Sequence, residues 1–204
     1  MTELLQAEFE DVDGKRRRLR RDEVLGYVRL LAAAGNETTT RLIGWAGKVL
    51  AENPDQRREL AKEPSVLSAR TIEELLRYES PSPVQARYVT EDVEHYGQHL
   101  PAGSVVLLLT ASGNRDERRF EDADRFNIHR KVGGHIAFGY GVHFCLGAAL
   151  ARLEGRIALE EVVKRFPEWE VDWSRAVRAR TSTVRGWTTL PVKTLLGKQA
   201  QRGA

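Results

Sequence analysis

The chain contains one cysteine, Cys145, among 204 residues, and a single thiol excludes an internal disulfide framework. Paired cysteines are missing too, so a zinc site built from His135, His143 and Cys145 lacks a fourth ligand. No orienting partner can be argued for a Cys–His hydrolase. Long apolar runs are absent: the longest, Val105 to Leu109, is far too short to span a bilayer. The N-terminal MTELLQAEFEDVDG is acidic and has no apolar core, so it does not read as a signal peptide. An excess of either charge is lacking as well. With 32 basic and 29 acidic residues the net charge is +3, too balanced to argue for nucleic acid. These absences predict a cytoplasmic protein with no membrane or nucleic-acid partner.

What remains is ordinary globular composition, 41% hydrophobic and 30% charged, enough for one domain or part of a larger one. No repeat or low-complexity linker interrupts it. Six of the seven residues from Lys15 to Arg21 are basic; this run reads as a solvated loop before a helix, with a docking arm for an acidic partner as the alternative. Asp22 is the expected N-cap. From about Asp22 to Glu52 the spacing of Leu25, Val28, Leu31, Leu42, Trp45 and Val49 predicts one long helix. Asn53-Pro54 starts a second, capped by Asn53. A third runs from about Val66 to Glu79 and is stopped by Pro81 and Pro83. Val84 to Leu109 alternates as short strands with turns at Gly97 and Pro101-Ala102-Gly103. Residues 114–130 are polar and irregular. A helix follows Cys145 to about Phe166, and short β segments lie near Trp169–Trp173 and Thr183–Val192. The reading divides the chain into a polar, basic segment (1–21), a domain (22–196) and a flexible tail (197–204). The fold class is mainly α with minor β.

The most informative stretch is FGYGVHFCLG, Phe138 to Gly147. A lone cysteine is usually a small buried hydrophobe, roughly nine times in ten. Here it sits at a helix start, where unpaired N–H groups and the positive end of the macrodipole stabilise negative charge on sulfur. Gly139 and Gly141 permit a tight, bulged backbone that presents the sulfur outward. Gly147 removes a Cβ where a flat ligand needs close approach. Six specified residue types at fixed spacing would coincide at odds on the order of one in ten million.

Two further segments carry chemistry. Ala34-Gly35-Asn36-Glu37-Thr38-Thr39 is unusual for a helix interior, since Gly35 costs about 1 kcal/mol against Ala. Taken alone it reads as a close helix–helix contact through a small residue. The other reading is an acid and a hydroxyl, Glu37 and Thr38, placed for proton delivery. Glu74 and Arg77 stand at i and i+3 on one helix face, which alone is most often a surface ion pair of little consequence.

Phe138, Gly139, Gly141, His143, Cys145 and Gly147 together resemble the haem-binding loop of the cytochrome P450 superfamily in its bacterial form, F-G-x-G-x-H-x-C-x-G. The Ala34–Thr38 run is similar to that family's oxygen-activation motif, and Glu74-x-x-Arg77 to its E-x-x-R pair. FEDADRFNIHR, Phe120 to Arg130, resembles the loop that completes the pair, with Arg125 in the matching position. The resemblance implies that Cys145 is the axial thiolate ligand of haem b iron and that Glu37 and Thr38 relay protons. Arg87 and His143 fall where the family often contacts haem propionates, and Phe138, Gly139 and Gly147 frame the haem. Glu74, Arg77 and Arg125 form a buried structural network. It implies a monooxygenase that inserts one atom of O2 into a small organic substrate. Electrons come from NAD(P)H through a ferredoxin- or flavodoxin-type donor.

The resemblance runs from about Leu25 to Val192, and family members are about double this length, so the chain is expected to correspond to their C-terminal half. A missing N-terminal half would leave the apolar face from Leu25 to Leu50 largely exposed. Two readings therefore stand: a haem-thiolate monooxygenase, truncated, and a non-catalytic haem-binding remnant or subunit that needs a separate N-terminal half.

Overall fold

A computed structural model describes residues 2–194, so the expected tail at 197–204 lies outside the described residues. The described residues fall into two compact units, 2–37 and 38–194. In the first, α1 (Thr2–Gln6) precedes an antiparallel hairpin of β1 (Glu8–Glu10) and β2 (Arg16–Arg18). The basic run is thus partly a strand and not a loop. The reason is opposite charge across the ladder: Glu8 faces Arg18 and Glu10 faces Arg16 in register, and such cross-strand pairs stabilise a hairpin. Asp11 Oδ1 accepts the N–H groups of Asp13 and Lys15, both at 3.0 Å, which turns the chain.

The long helix α2 spans Arg21–Glu52. Asp22 lies inside its first turn and is not the cap. Glu23 reaches back to accept the Arg20 N–H at 2.7 Å, the carboxylate half of a capping box. Arg17 forks onto Glu23 at 2.8 and 3.0 Å, and this pairing holds the Glu23 carboxyl down at about 2. The helix runs unbroken through Ala34–Thr39.

In the second unit α3 (Pro54–Lys62) and α4 (Pro64–Tyr78) each begin on proline, whose fixed φ and missing N–H suit a first turn. Asn53 does not cap α3 with its side chain; its amide donates back to the Val49 carbonyl at 2.8 Å. Helix α6 (Ala148–Arg165) packs on α4. Leu42, Val49 and Leu50 of α2, Leu60 of α3, Ile72 and Leu75 of α4, and Leu159 and Val163 of α6 form the core. Gly155 permits the close approach: a Cβ there would stand 3.1 Å from both Leu42 Cδ2 and Ile72 Cδ1. The expected exposure of the whole apolar face of α2 is corrected in part. Leu25, Val28 and Leu31 are exposed, whereas Leu42, Trp45, Val49 and Leu50 are buried.

The strands form small two-stranded antiparallel sheets. β3 (Gln85–Tyr88) pairs with β6 (Val105–Leu108), enclosing the hairpin of β4 (Val93–His95) and β5 (Gln98–Leu100). That hairpin turns on Tyr96 and Gly97, both at positive φ, as a two-residue hairpin turn requires. A short α5 (Thr110–Gly113) follows. β7 (Trp169–Val171) pairs with β10 (Val192–Thr194), and β8 (Val177–Arg178) with β9 (Trp187–Thr189).

A buried ion pair ties the irregular segment 114–130 to α4. Glu74 and Arg77 both have fully buried side chains, 0% exposed. Arg77 Nε and Nη2 fork onto the Glu74 carboxylate at 2.7 and 2.8 Å. Its remaining N–H groups reach the carbonyls of Asn114, Ala123 and Arg125 at 2.9, 2.8 and 3.3 Å. All five guanidinium donors are therefore matched. The third member of this network is Arg130, not Arg125. Arg130 Nε donates to Glu74 Oε1 at 3.2 Å, and its fork braces the carbonyls of Glu121, Asp122 and Arg125. The Arg125 side chain is 81% exposed beside Asp122; only its carbonyl joins, because the loop turns its Cβ to solvent.

Three substitutions test this packing. R130A should lower stability by about 3 kcal/mol through loss of a largely buried charge partner, and R125A should change it by less than about 0.5 kcal/mol, both read by urea denaturation. G155V should cost about 1–3 kcal/mol by overpacking against Leu42 and Ile72, seen as a lower urea midpoint with unchanged slope.

Candidate functional site

The structure brings Phe138, Gly139, Gly141, His143, Cys145 and Gly147 into one loop between Ile136 and α6. The loop is closed by its own backbone: Cys145 N–H donates to the Phe138 carbonyl at 2.8 Å, Phe144 N–H to Gly141 at 3.0 Å, and Gly139 N–H to Ile136 at 3.0 Å. Gly139 and Gly141 have φ of 75° and 64°, in the left-handed region that favours glycine. A Cβ on Gly139 would also meet the His143 carbonyl at 3.3 Å. A 3-10 turn over Gly141–His143 then delivers Cys145 just ahead of Gly147, the N-cap of α6. Cys145 is exposed.

Gly147 has an ordinary φ of −84°, so its backbone does not demand glycine. A Cβ there would lie 4.0 Å from Cys145 Sγ, in ordinary van der Waals contact beside the sulfur. Phe144, Leu146 and Leu150 beside it are large, apolar and exposed. The donor set agrees with this shape. Among the described residues no group of three His, Cys, Asp or Glu side chains could hold a metal ion. A bare ion takes about four protein ligands, whereas iron carried in a flat macrocycle takes one axial sulfur. One exposed thiol, an apolar rim and a missing Cβ fit haem.

The other predicted residues lie elsewhere in the chain. Glu37 is exposed and Thr38 half-buried on consecutive positions of α2. A Cβ on Gly35, nearby in the same run, would meet nothing within 4 Å. Arg87 is exposed on β3 and donates to its neighbour's carbonyl, Ala86, at 2.8 Å. His143 is exposed within the loop. Glu74 and Arg77 lie in the core and hold no position in the loop.

The sequence reading missed Glu73, the residue beside Glu74. Its carboxylate takes a fork from Arg152 at 2.6 and 3.1 Å and lies 3.1 Å from His135 Nε2. Burial pushes the Glu73 carboxyl up, but hydrogen bonds from His135 and Arg152 outweigh it and bring it to about 2. Arg152 is held above its ordinary value, first by the Glu73 hydrogen bond and then by the Glu73 charge, against the opposing effect of burial. The signal available in sequence was slight: an acidic pair, Glu73-Glu74, of which only the second fits the familiar spacing.

Comparison with known proteins agrees with this geometry. The cytochrome P450 family model matches residues 1–196. Cytochrome P450 107B1 of Saccharopolyspora erythraea is 45% identical over 196 residues, covering 95% of this chain and 47% of that protein. Vitamin D(3) 25-hydroxylase of Pseudonocardia autotrophica is 41% identical over 195 residues, covering 94% and 47%. The solved structure of cytochrome P450 CYP109Q5 from Chondromyces apiculatus superposes with a TM-score of 0.86 at 44% identity, over 95% of this chain and 48% of that one. The chain thus spans about half the length of the relatives it matches. By motif, fold and similarity, it belongs to the cytochrome P450 family.

Proposed function

We propose that the chain is the haem-bearing, C-terminal half of a cytochrome P450 monooxygenase, with Cys145 as the axial ligand of haem b iron. The observation that carries this reading is the exposed Cys145 thiol on a glycine-framed loop, closed by the Cys145 backbone N–H donating to the Phe138 carbonyl at 2.8 Å. A bound haem supplies the iron centre at which O2 is activated with two electrons. The residues of this chain do the rest. The Cys145 sulfur would hold the haem iron and supply it with negative charge. Gly147 leaves the room a flat ligand needs beside it, and Phe138 backs the loop. Arg87 and His143 offer donors to ligand carboxylates. The Glu37 carboxyl and Thr38 Oγ1, adjacent on α2, hold and pass a proton.

The substrate class is a small organic molecule. Electrons reach the site from a ferredoxin- or flavodoxin-type donor. A free thiol and the absence, among the described residues, of any helix long and apolar enough to cross a membrane accord with a cytoplasmic setting.

A second reading is favoured by exposed Leu25, Val28 and Leu31 along α2: a subunit or remnant that needs a separate N-terminal half before it acts. The carbon monoxide difference spectrum of the reduced, haem-reconstituted chain separates the two. A thiolate-type Soret band, abolished in C145A, is the expected result and supports the first reading. Haem uptake without that band, or no uptake, supports the second.

A further inference from the structure

The chain on both sides of Cys145 is held by one carboxylate. Before the cysteine, His135 enters the loop with a side chain only 4% exposed. Its Nδ1 accepts the Ala137 N–H at 3.2 Å, which leaves the ring proton on Nε2, 3.1 Å from Glu73 Oε2. After the cysteine, Arg152 on α6 forks onto both oxygens of the same carboxylate. Between these arms lies Phe138. The Arg152 guanidinium sits over its ring at 4.5 Å, and the His135 ring is 5.9 Å from it. Phe138 in turn supplies the carbonyl that fixes the Cys145 N–H.

We infer that Glu73 is a positioning residue for Cys145: from α4 it ties down the entry and the exit of the cysteine loop through His135 and Arg152. Three physical features separate it from an ordinary surface pair. The histidine is buried and its tautomer is set by a backbone donor. The arginine is bidentate and stacked, so a lysine cannot replace it in kind. The two bonded partners belong to opposite ends of the segment that presents the sulfur. Partners that orient a ligand in this way govern how well it meets its metal. Glu74, one position on, faces the core and makes none of these contacts.

The inference rests on reading Cys145 as the iron ligand, and its test works without haem. Amide hydrogen exchange on the full chain reads the loop at Gly139, Phe144 and Cys145, whose partners all lie inside it. E73Q keeps the shape and removes the charge. Exchange at those three amides should rise about tenfold while the amides of α3 keep their parent rates. R152K should give a smaller rise, and E161Q, near the far end of α6, none. In haem-loaded E73Q the share of thiolate-type carbon monoxide band should fall. Unchanged loop exchange in E73Q would overturn the inference. So would an increase shared equally by α3, because Glu73 would then only stabilise the unit. If the loop loosens as expected but the parent never shows the thiolate band, the ligand reading fails and the clamp stands.

Discussion

The buried pair between Glu74 and Arg77 is the interaction around which the larger unit is arranged. An arginine and a carboxylate withdrawn from water cost more than their attraction returns unless every polar atom finds a partner. Here that demand is met by the backbone of a segment with no regular structure of its own. Three carbonyls, from Asn114, Ala123 and Arg125, turn inward to Arg77, and the Asn127 N–H donates to Glu74 at 3.0 Å. The pair thus organises more than it stabilises: it folds residues 114–130 against α4. Asn114 then carries the order onward, accepting the Ile136 N–H at 2.8 Å at the threshold of the cysteine loop.

From that threshold the loop is over-determined. Two glycines at positive φ make the bend, a backbone bond from Cys145 to Phe138 closes it, and α6 begins immediately beyond. A sulfur presented this way is exposed yet fixed, a combination that suits a ligand to a metal delivered within its own macrocycle. Glu73 and Glu74, adjacent on α4, divide the work by helical geometry. With successive residues about 100° apart around the axis, one carboxylate serves the core and the other the loop.

Much of this was legible in residues. Proline at 54, the Gly97 turn and the apolar spacing of α2 are local signals, and local structure followed them closely, whereas the third helix begins at Pro64, two residues before its expected start. Cys145 was legible because its glycines have stringent backbone duties, which leave a pattern in sequence. What stayed hidden depends on the path of the chain in space. Arg125 and Arg130 are both arginines in one short irregular segment, and only the turn of its backbone decides which one reaches Glu74. Asp22 and Asn53 have the right chemistry for caps, yet Glu23 and the Val49 carbonyl offered competing partners. The basic run at 15–21 looked like a solvated loop because its partners, Glu8 and Glu10, lie across a turn. Glu73 was missed because a carboxylate shared between two distant residues leaves no spacing to read.

Everything in this reading turns on direct binding of iron by the Cys145 sulfur. The iron K-edge X-ray absorption spectrum of the haem-loaded chain tests it most plainly. One sulfur scatterer at bonding distance beside the macrocycle nitrogens, absent in C145A, is the expected result. A shell of nitrogen and oxygen alone, or a sulfur signal that survives removal of Cys145, would contradict it.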